Sequence, residues 1–244
     1  MEDPEYFHLA SDEVHSWCVG LAASPEACAR LYATLSCDER SRSTRLRFER
    51  DRRRFVVAHG VLRELLARYL ETRPGRIRYV YNAFGKPGLS PEFGNLITFN
   101  LSHSAGLALM AITAGSSVGV DLEYLRAQPQ DVEIARHFFS GADVDQLSGL
   151  AGQRRTQAFF TCWTKMEAHV KARGEGLTAL GRAPSCVAPA RHWSLYTLDP
   201  APGYVGALVV EGAGRRLRQR TLTAALRPAH GFPDRPPCLS GDPA

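Results

Sequence analysis

The sequence predicts an α+β protein whose single chain folds as two similarly built halves. Three observations carry that expectation. A chain of 244 residues is long enough to bury one large core or two smaller ones. Helix-period segments are followed by strand-like segments, and this order occurs twice, although no residue-level repeat accompanies it. A hydrophobic share of 44% and a charged share of 23% fit an ordinary globular protein and argue against a disordered or fibrous chain.

No apolar run approaches the ~20 residues of a membrane-spanning helix. The first residues, MEDPEYFHLASDEV, are acidic where a signal peptide would be basic and then apolar. Six cysteines (Cys18, Cys28, Cys37, Cys162, Cys186 and Cys238) are scattered without a CxxC pair. The expectation is reduced thiols, a cytoplasmic location and no zinc site.

Net charge is +5 and unevenly placed. Arginines stand at 40, 42, 45, 47, 50, 52, 53 and 54, with Glu39, Glu49 and Asp51 nearby. Such a run suits an anionic partner, whether nucleic acid, a nucleotide phosphate or an acidic protein. It also suits a plain salt-bridged helix face. From Arg54 the run leads into FVVAHGVLRELLARYL, where Ala58, Val61, Leu62, Leu65, Leu66 and Tyr69 share one helical face. Pro74-Gly75 ends that helix.

Strand-like IRYVYN, a GKPG turn at Gly85 to Gly88, LITFNL, LALMAIT and VGVDLEY come next. The second half has helical IARHFF and AFFTCWTKMEAHVKA, then strand-like WSLYTL and GALVV, closed by polar TLTAALRP. The expected divisions are residues 1–117, residues 118–227, and a Pro-rich, disordered tail over 228–244.

Two segments carry candidate chemistry. In VGVDLEY, period-2 alternation puts Val118, Val120 and Leu122 on one face and Asp121 and Glu123 on the other. Neighbouring carboxylates repel unless something positive lies between them, and magnesium with phosphate oxygens is a common solution. A polar strand edge would leave the same pattern. In WTKMEAHVKARGEGL, Thr164 and Glu167 have capping-box spacing, Glu167 and Lys171 are placed for an i,i+4 ion pair, and Gly174 suits a helix terminus. If this helix packs over the strand, Glu167 becomes a third carboxylate and Lys171 lies on its face. Lys86, His103 and the arginines could then meet a polyphosphate.

The ordered set GKP, FNLSHS, VGVDLE, IARHFFS and WTKMEAHVKARGEGL resembles the 4′-phosphopantetheinyl transferases of the Sfp type. The family signature is G-[IV]-D-x-E, then W-[ST]-x-K-E-[SA]-x-x-K, then G-x-G-L. Glu123 and Glu167 are 44 residues apart, within the family's range, and the match runs from about Arg40 to Leu177. The resemblance implies a monomer of two α/β subdomains related by a pseudo-twofold axis. It implies magnesium held by Asp121, Glu123 and Glu167, with Glu167 and Lys171 catalytic. It implies coenzyme A bound by Lys86, Pro87, Ser102, His103 and Lys171, with Arg54 or its neighbour Arg53 near the 3′-phosphate. The partner implied is an acidic acyl or peptidyl carrier protein, with no nucleic acid or membrane involved. One departure stands out: the family's lysine before the glutamate is Met166 here, with Lys165 one residue earlier.

Two other readings use the same residues. A magnesium-dependent phosphodiesterase or nuclease would employ the three carboxylates and need no carrier surface. A non-catalytic nucleic-acid-binding module would grip through Arg40–Arg54, with strongly salt-dependent binding. The latter leaves the Asp121/Glu123 pair without a purpose.

Overall fold

Period-2 patterning divides the strands of this protein between separate cores, and that division generates its layers. The computed structural model describes residues 7–94, 96–176 and 192–222; the expected tail over 228–244 and Leu177 of the GEGL segment lie outside them. The first half runs β1 (Glu13–Gly20), α1 (Pro25–Thr34), α2 (Cys37–Thr44), α3 (Glu49–Tyr69), β2 (Tyr79–Tyr81), β3 (Pro87–Leu89), β4 (Thr98–Ser104) and β5 (Leu107–Thr113). The second runs β6 (Val118–Tyr124), α4 (Asp131–Phe138), α5 (Gly141–Ser148), α6 (Gly152–Arg173), β7 (Trp193–Leu198), β8 (Tyr204–Glu211) and β9 (Arg216–Leu222).

The fold is α+β. One sheet has the order β4-β5-β1-β9, a second has β6-β8-β7, and β2 and β3 form a separate hairpin. On β1 and β5, Trp17, Val19, Met110 and Ile112 face a core completed by Val57, Val61, Leu65 and Leu66 of α3. The alternate residues Val14, Cys18, Leu109 and Ala111 face a core shared with Val118, Val120, Leu122, Leu208 and Val210 of the second sheet. The far side of the second sheet receives α6, where Ala168 and Ala172 meet Ala207 and Val209. Helix, sheet, sheet and helix thus stack in order, an arrangement consistent with a pseudo-twofold pair of halves. β9 lies parallel to β1, so the first sheet takes a strand from the second half of the chain.

Three local features position the site. Ser36 and Glu39 form a reciprocal capping box that starts α2. Glu39 then accepts from Arg63 Nε at 2.7 Å, and Arg63 Nη1 donates to the Pro74 and Ile77 carbonyls, each at 3.0 Å. Both side chains are 1% exposed, so this pair ties α2 and α3 to the turn before β2. Gly174 ends α6 in the left-handed conformation, with φ of 69°. Gly119 meets a different demand. A Cβ there would lie 2.1 Å from the Ala168 carbonyl oxygen and 2.3 Å from the Ala172 nitrogen.

Cys18, Cys28 and Cys37 are free, as expected, whereas Cys162 is disulfide-bonded, which corrects the expectation of thiols throughout. Among the described residues no helix is long and apolar enough to cross a membrane.

Because backbone atoms of α6 fill the space beside Gly119, the helix has no flexible side chain to move aside. Gly119→Ala is expected to destabilise the protein by at least ~1–3 kcal/mol, the usual range for an overpacked core. Chemical denaturation measures this directly; a variant within experimental error of the parent would show that α6 can lift off β6 freely.

Candidate active site

With Val118, Val120 and Leu122 committed to the inter-sheet core, Gly119, Asp121 and Glu123 project toward α6. The glycine lets the helix backbone sit directly on the strand, and the next two residues on that face are carboxylates. Lys171 of α6 donates to Asp121 Oδ1 at 2.5 Å and to Ser102 Oγ at 3.3 Å. Asp121 is 4% exposed and Glu167 7%, while Glu123 is partly open to solvent. Burial raises the pKa of Glu167; Lys171 opposes the shift, and the charges of Asp121 and Glu123 add to it. The helix thereby brings Glu167 into the field of the strand pair, as expected. Lys171 contacts Asp121, whereas the sequence suggested pairing with Glu167.

A row of small polar side chains on β4 faces the same strand. Ser102 Oγ donates to Asp121 Oδ1 at 2.9 Å, and Ser104 Oγ donates to Glu123 Oε2 at 3.1 Å. Ser104 Oγ also accepts from Tyr124 N at 3.1 Å, and Asn100 Oδ1 accepts from Val120 N at 2.9 Å. β6 is the terminal strand of its sheet, so these side chains satisfy backbone donors that would otherwise be unpaired. Sequence reading missed Asn100 and Ser104, yet the signal was present. Asn100, Ser102 and Ser104 alternate with Phe99, Leu101 and His103 in FNLSHS.

His103, stepping to the other side of β4, opens onto a pocket lined also by Glu39, Arg42, His59, Tyr81 and Pro87. The surrounding protein lowers its pKa, and the positive charges of His59, Lys171 and Arg54 push the same way, against Asp51. Arg54 therefore belongs to this neighbourhood. Arg53 instead donates to Glu49 on the exposed side of α3 at 3.0 Å. The arginine run is not one continuous stripe. Arg40 lies over Tyr32, Arg42 faces Phe55, and Arg52 donates to Glu49.

Three expectations meet a different geometry. Lys86 turns its ammonium to the Val118 carbonyl at 3.0 Å and the Ala172 carbonyl at 3.3 Å, and burial lowers its pKa to about 8. Gly85 and Pro87 line the pocket beside it. Thr164 starts no helix, since α6 begins at Gly152 and Thr164 Oγ1 donates to Thr161 O at 3.1 Å within it. Glu167 is thus released from any capping role. Met166 packs with Cys162, Val170, Phe138, Phe139 and Trp163. Position 166 faces that apolar seam, so its methionine removes no charge from the carboxylate cluster.

The donor set suits a hard cation in kind. Three carboxylates share one region, and Asp121 Oδ2 is buried without a hydrogen-bond partner. Among the described residues, however, no three His, Cys, Asp or Glu side chains are drawn together as a ready metal centre. In this arrangement Lys171 supplies the positive charge beside Asp121.

Comparison with known proteins converges on one group. Residues 22–115 match the family model described as 4′-phosphopantetheinyl transferase, N-terminal, and residues 117–207 match the 4′-phosphopantetheinyl transferase superfamily model. The chain is 37% identical over 220 residues to the 4′-phosphopantetheinyl transferase HetI of Nostoc sp., covering 86% of this chain and 93% of that one. It is 35% identical over 146 residues to a putative 4′-phosphopantetheinyl transferase of Synechocystis sp., covering 60% of this chain and 59% of that one. It is 26% identical over 155 residues to the 4′-phosphopantetheinyl transferase Sfp of Bacillus subtilis, covering 64% of this chain and 67% of that one.

Lys86 gives the C-terminal end of α6 a cation and a donor supplied from the β2–β3 connection. Asn82 Nδ2 reinforces the junction by donating to Gly174 O at 2.7 Å. Lys86→Met is expected to speed amide hydrogen exchange at residues 79–89 and in the last turn of α6, leaving α3 unchanged. Protection equal to the parent's in both segments would show that the junction holds without the ammonium.

Proposed function

The chain belongs to the 4′-phosphopantetheinyl transferase family, and from that premise we propose which residues carry the reaction. The activity is transfer of the 4′-phosphopantetheine arm of coenzyme A to a carrier protein. The observation that supports the site assignment is the placement of Glu167 and Lys171 of α6 over Asp121 on β6, with Ser102 fixing Asp121 from β4.

Lys171, Ser102 and the pocket around His103 and Arg54 would bind coenzyme A, with Pro87 lining the same pocket. Asp121, Glu123 and Glu167 would hold a magnesium ion, which supplies charge neutralisation for the diphosphate when bound. The serine oxygen of the carrier forms a bond to the β-phosphorus of coenzyme A. The bond from that phosphorus to the bridging oxygen breaks, and 3′,5′-ADP departs with its electron pair. The serine proton passes to Glu167, whose pKa is held above the usual carboxylate range by burial. Lys171 donates toward the phosphate oxygens as negative charge shifts onto the leaving group. Positioning and charge neutralisation account for most of the catalysis in such a transfer. A net charge of +5 suits both coenzyme A and acidic carrier domains.

The direct test mixes the protein with magnesium, coenzyme A and a panel of apo carrier proteins, then weighs the carriers. The expected result is a gain of one phosphopantetheine arm on a carrier serine. Intact carriers alongside hydrolysed coenzyme A would point to phosphodiesterase chemistry instead. Glu167→Gln is expected to slow transfer by ~10²–10⁴-fold while thermal unfolding stays near that of the parent. A variant that transfers at the parental rate would remove Glu167 from the mechanism.

A further inference from the structure

We propose that His59, oriented by Glu39 and Phe55, is a further binding residue of this enzyme and helps it select coenzyme A through the 3′-phosphate. The inference rests on the coenzyme A reading above and assigns a role to residues outside the sequence motifs.

His59 lies one turn after Phe55 on α3 and lines the pocket with Arg42 and His103. Its ring is fixed from two directions. It stacks on Phe55, with centroids 3.9 Å apart and planes 24° from parallel. Its Nδ1 faces Glu39 Oε1 at 3.6 Å, leaving Nε2 as the ring nitrogen available to a ligand. Glu39 is itself immobile, because its other oxygen accepts from Arg63 Nε at 2.7 Å and from Ser36 N at 2.9 Å. A buried ion pair thus holds the carboxylate that aims the imidazole, and its Oε1 faces His59 on the pocket side.

The charge balance identifies the ligand class. Arg42, His59 and His103 line the pocket, and the charge of Arg54 is felt at His103. The one carboxylate among the lining residues, Glu39, is already matched by Arg63. A surplus of cationic and N–H donors in a recess calls for a compact anion. Coenzyme A offers two anionic groups, the internal diphosphate and the 3′-phosphate of its ribose. Its diphosphate belongs with Lys171 and Asp121, on the side of β4 faced by Ser102. His103 is the next residue on that strand and points the other way, into the pocket, so the 3′-phosphate is the group that reaches His59.

The test compares binding of coenzyme A and 3′-dephospho-coenzyme A to the full chain by calorimetry, with magnesium and no carrier protein. The parent is expected to prefer coenzyme A. In His59→Gln that preference should shrink by roughly 10- to 100-fold, the loss of one hydrogen bond to a charged group, with binding of the dephospho form unchanged. His59→Lys, which places an ammonium donor at this position, should retain much of the preference. His59→Asn repeats the measurement where the Gln variant proves unstable. An unchanged preference in the neutral variants, or an equal loss for both ligands, would overturn the role of His59. A parent that bound neither ligand would overturn the coenzyme A reading itself, and a parent that bound both equally would overturn selection by the 3′-phosphate alone.

Discussion

The contact between α6 and β6 at Gly119 is the constraint on which the rest of the structure depends. Strand and helix backbones touch there without an intervening side chain. Ala168, Ala172 and Ala207 continue the same small-residue seam onto β8. Dispersion forces fall off steeply with distance, so a seam of this kind fixes the helix height within a narrow range. Lys171 reaches Asp121 only because of that height, and Glu167 feels the strand carboxylates for the same reason.

A second constraint acts across the line where the halves meet. β4 and β6 are end strands of different sheets, and neither can satisfy the other's backbone by a regular ladder. Asn100 and Ser104 accept the β6 amides with side chains, while Ser102 and Ser104 also donate to the carboxylates. One set of short polar groups therefore joins the sheets and orients the acids. Stability and chemistry are not separable here, because the groups that make the junction are those that aim the site.

Much of this was legible in the sequence. The apolar spacing of Ala58, Val61, Leu62, Leu65 and Leu66 placed α3 on its core, and all five are buried. Alternation in VGVDLEY placed both carboxylates on the face away from the inter-sheet core. The parts that were not legible depend on contacts distant in sequence or on competing local patterns. Thr164 and Glu167 have capping-box spacing, but α6 starts twelve residues before Thr164, at a Gly without a side-chain cap. The lysine of GKP looks like a phosphate ligand until β6 and α6 each supply a carbonyl that holds it. Arg63 looks like one more surface arginine in a helix, and only the fold brings Glu39 beneath it. Met166 shows the same limit: its mismatch with the family pattern is visible in sequence, whereas its apolar surroundings are not.

The parallel pairing of β9 with β1 has a consequence for how the molecule is made. β1 leaves the ribosome about two hundred residues before its partner on that side, which ends at Leu222. Until synthesis reaches that point, one edge of β1 has no strand beside it, even if β5 has already paired on the other. An open edge of this kind is a template for pairing with other chains. The first half is thus committed to wait for the second, and the nascent protein carries an edge open to misassembly until β9 has been made.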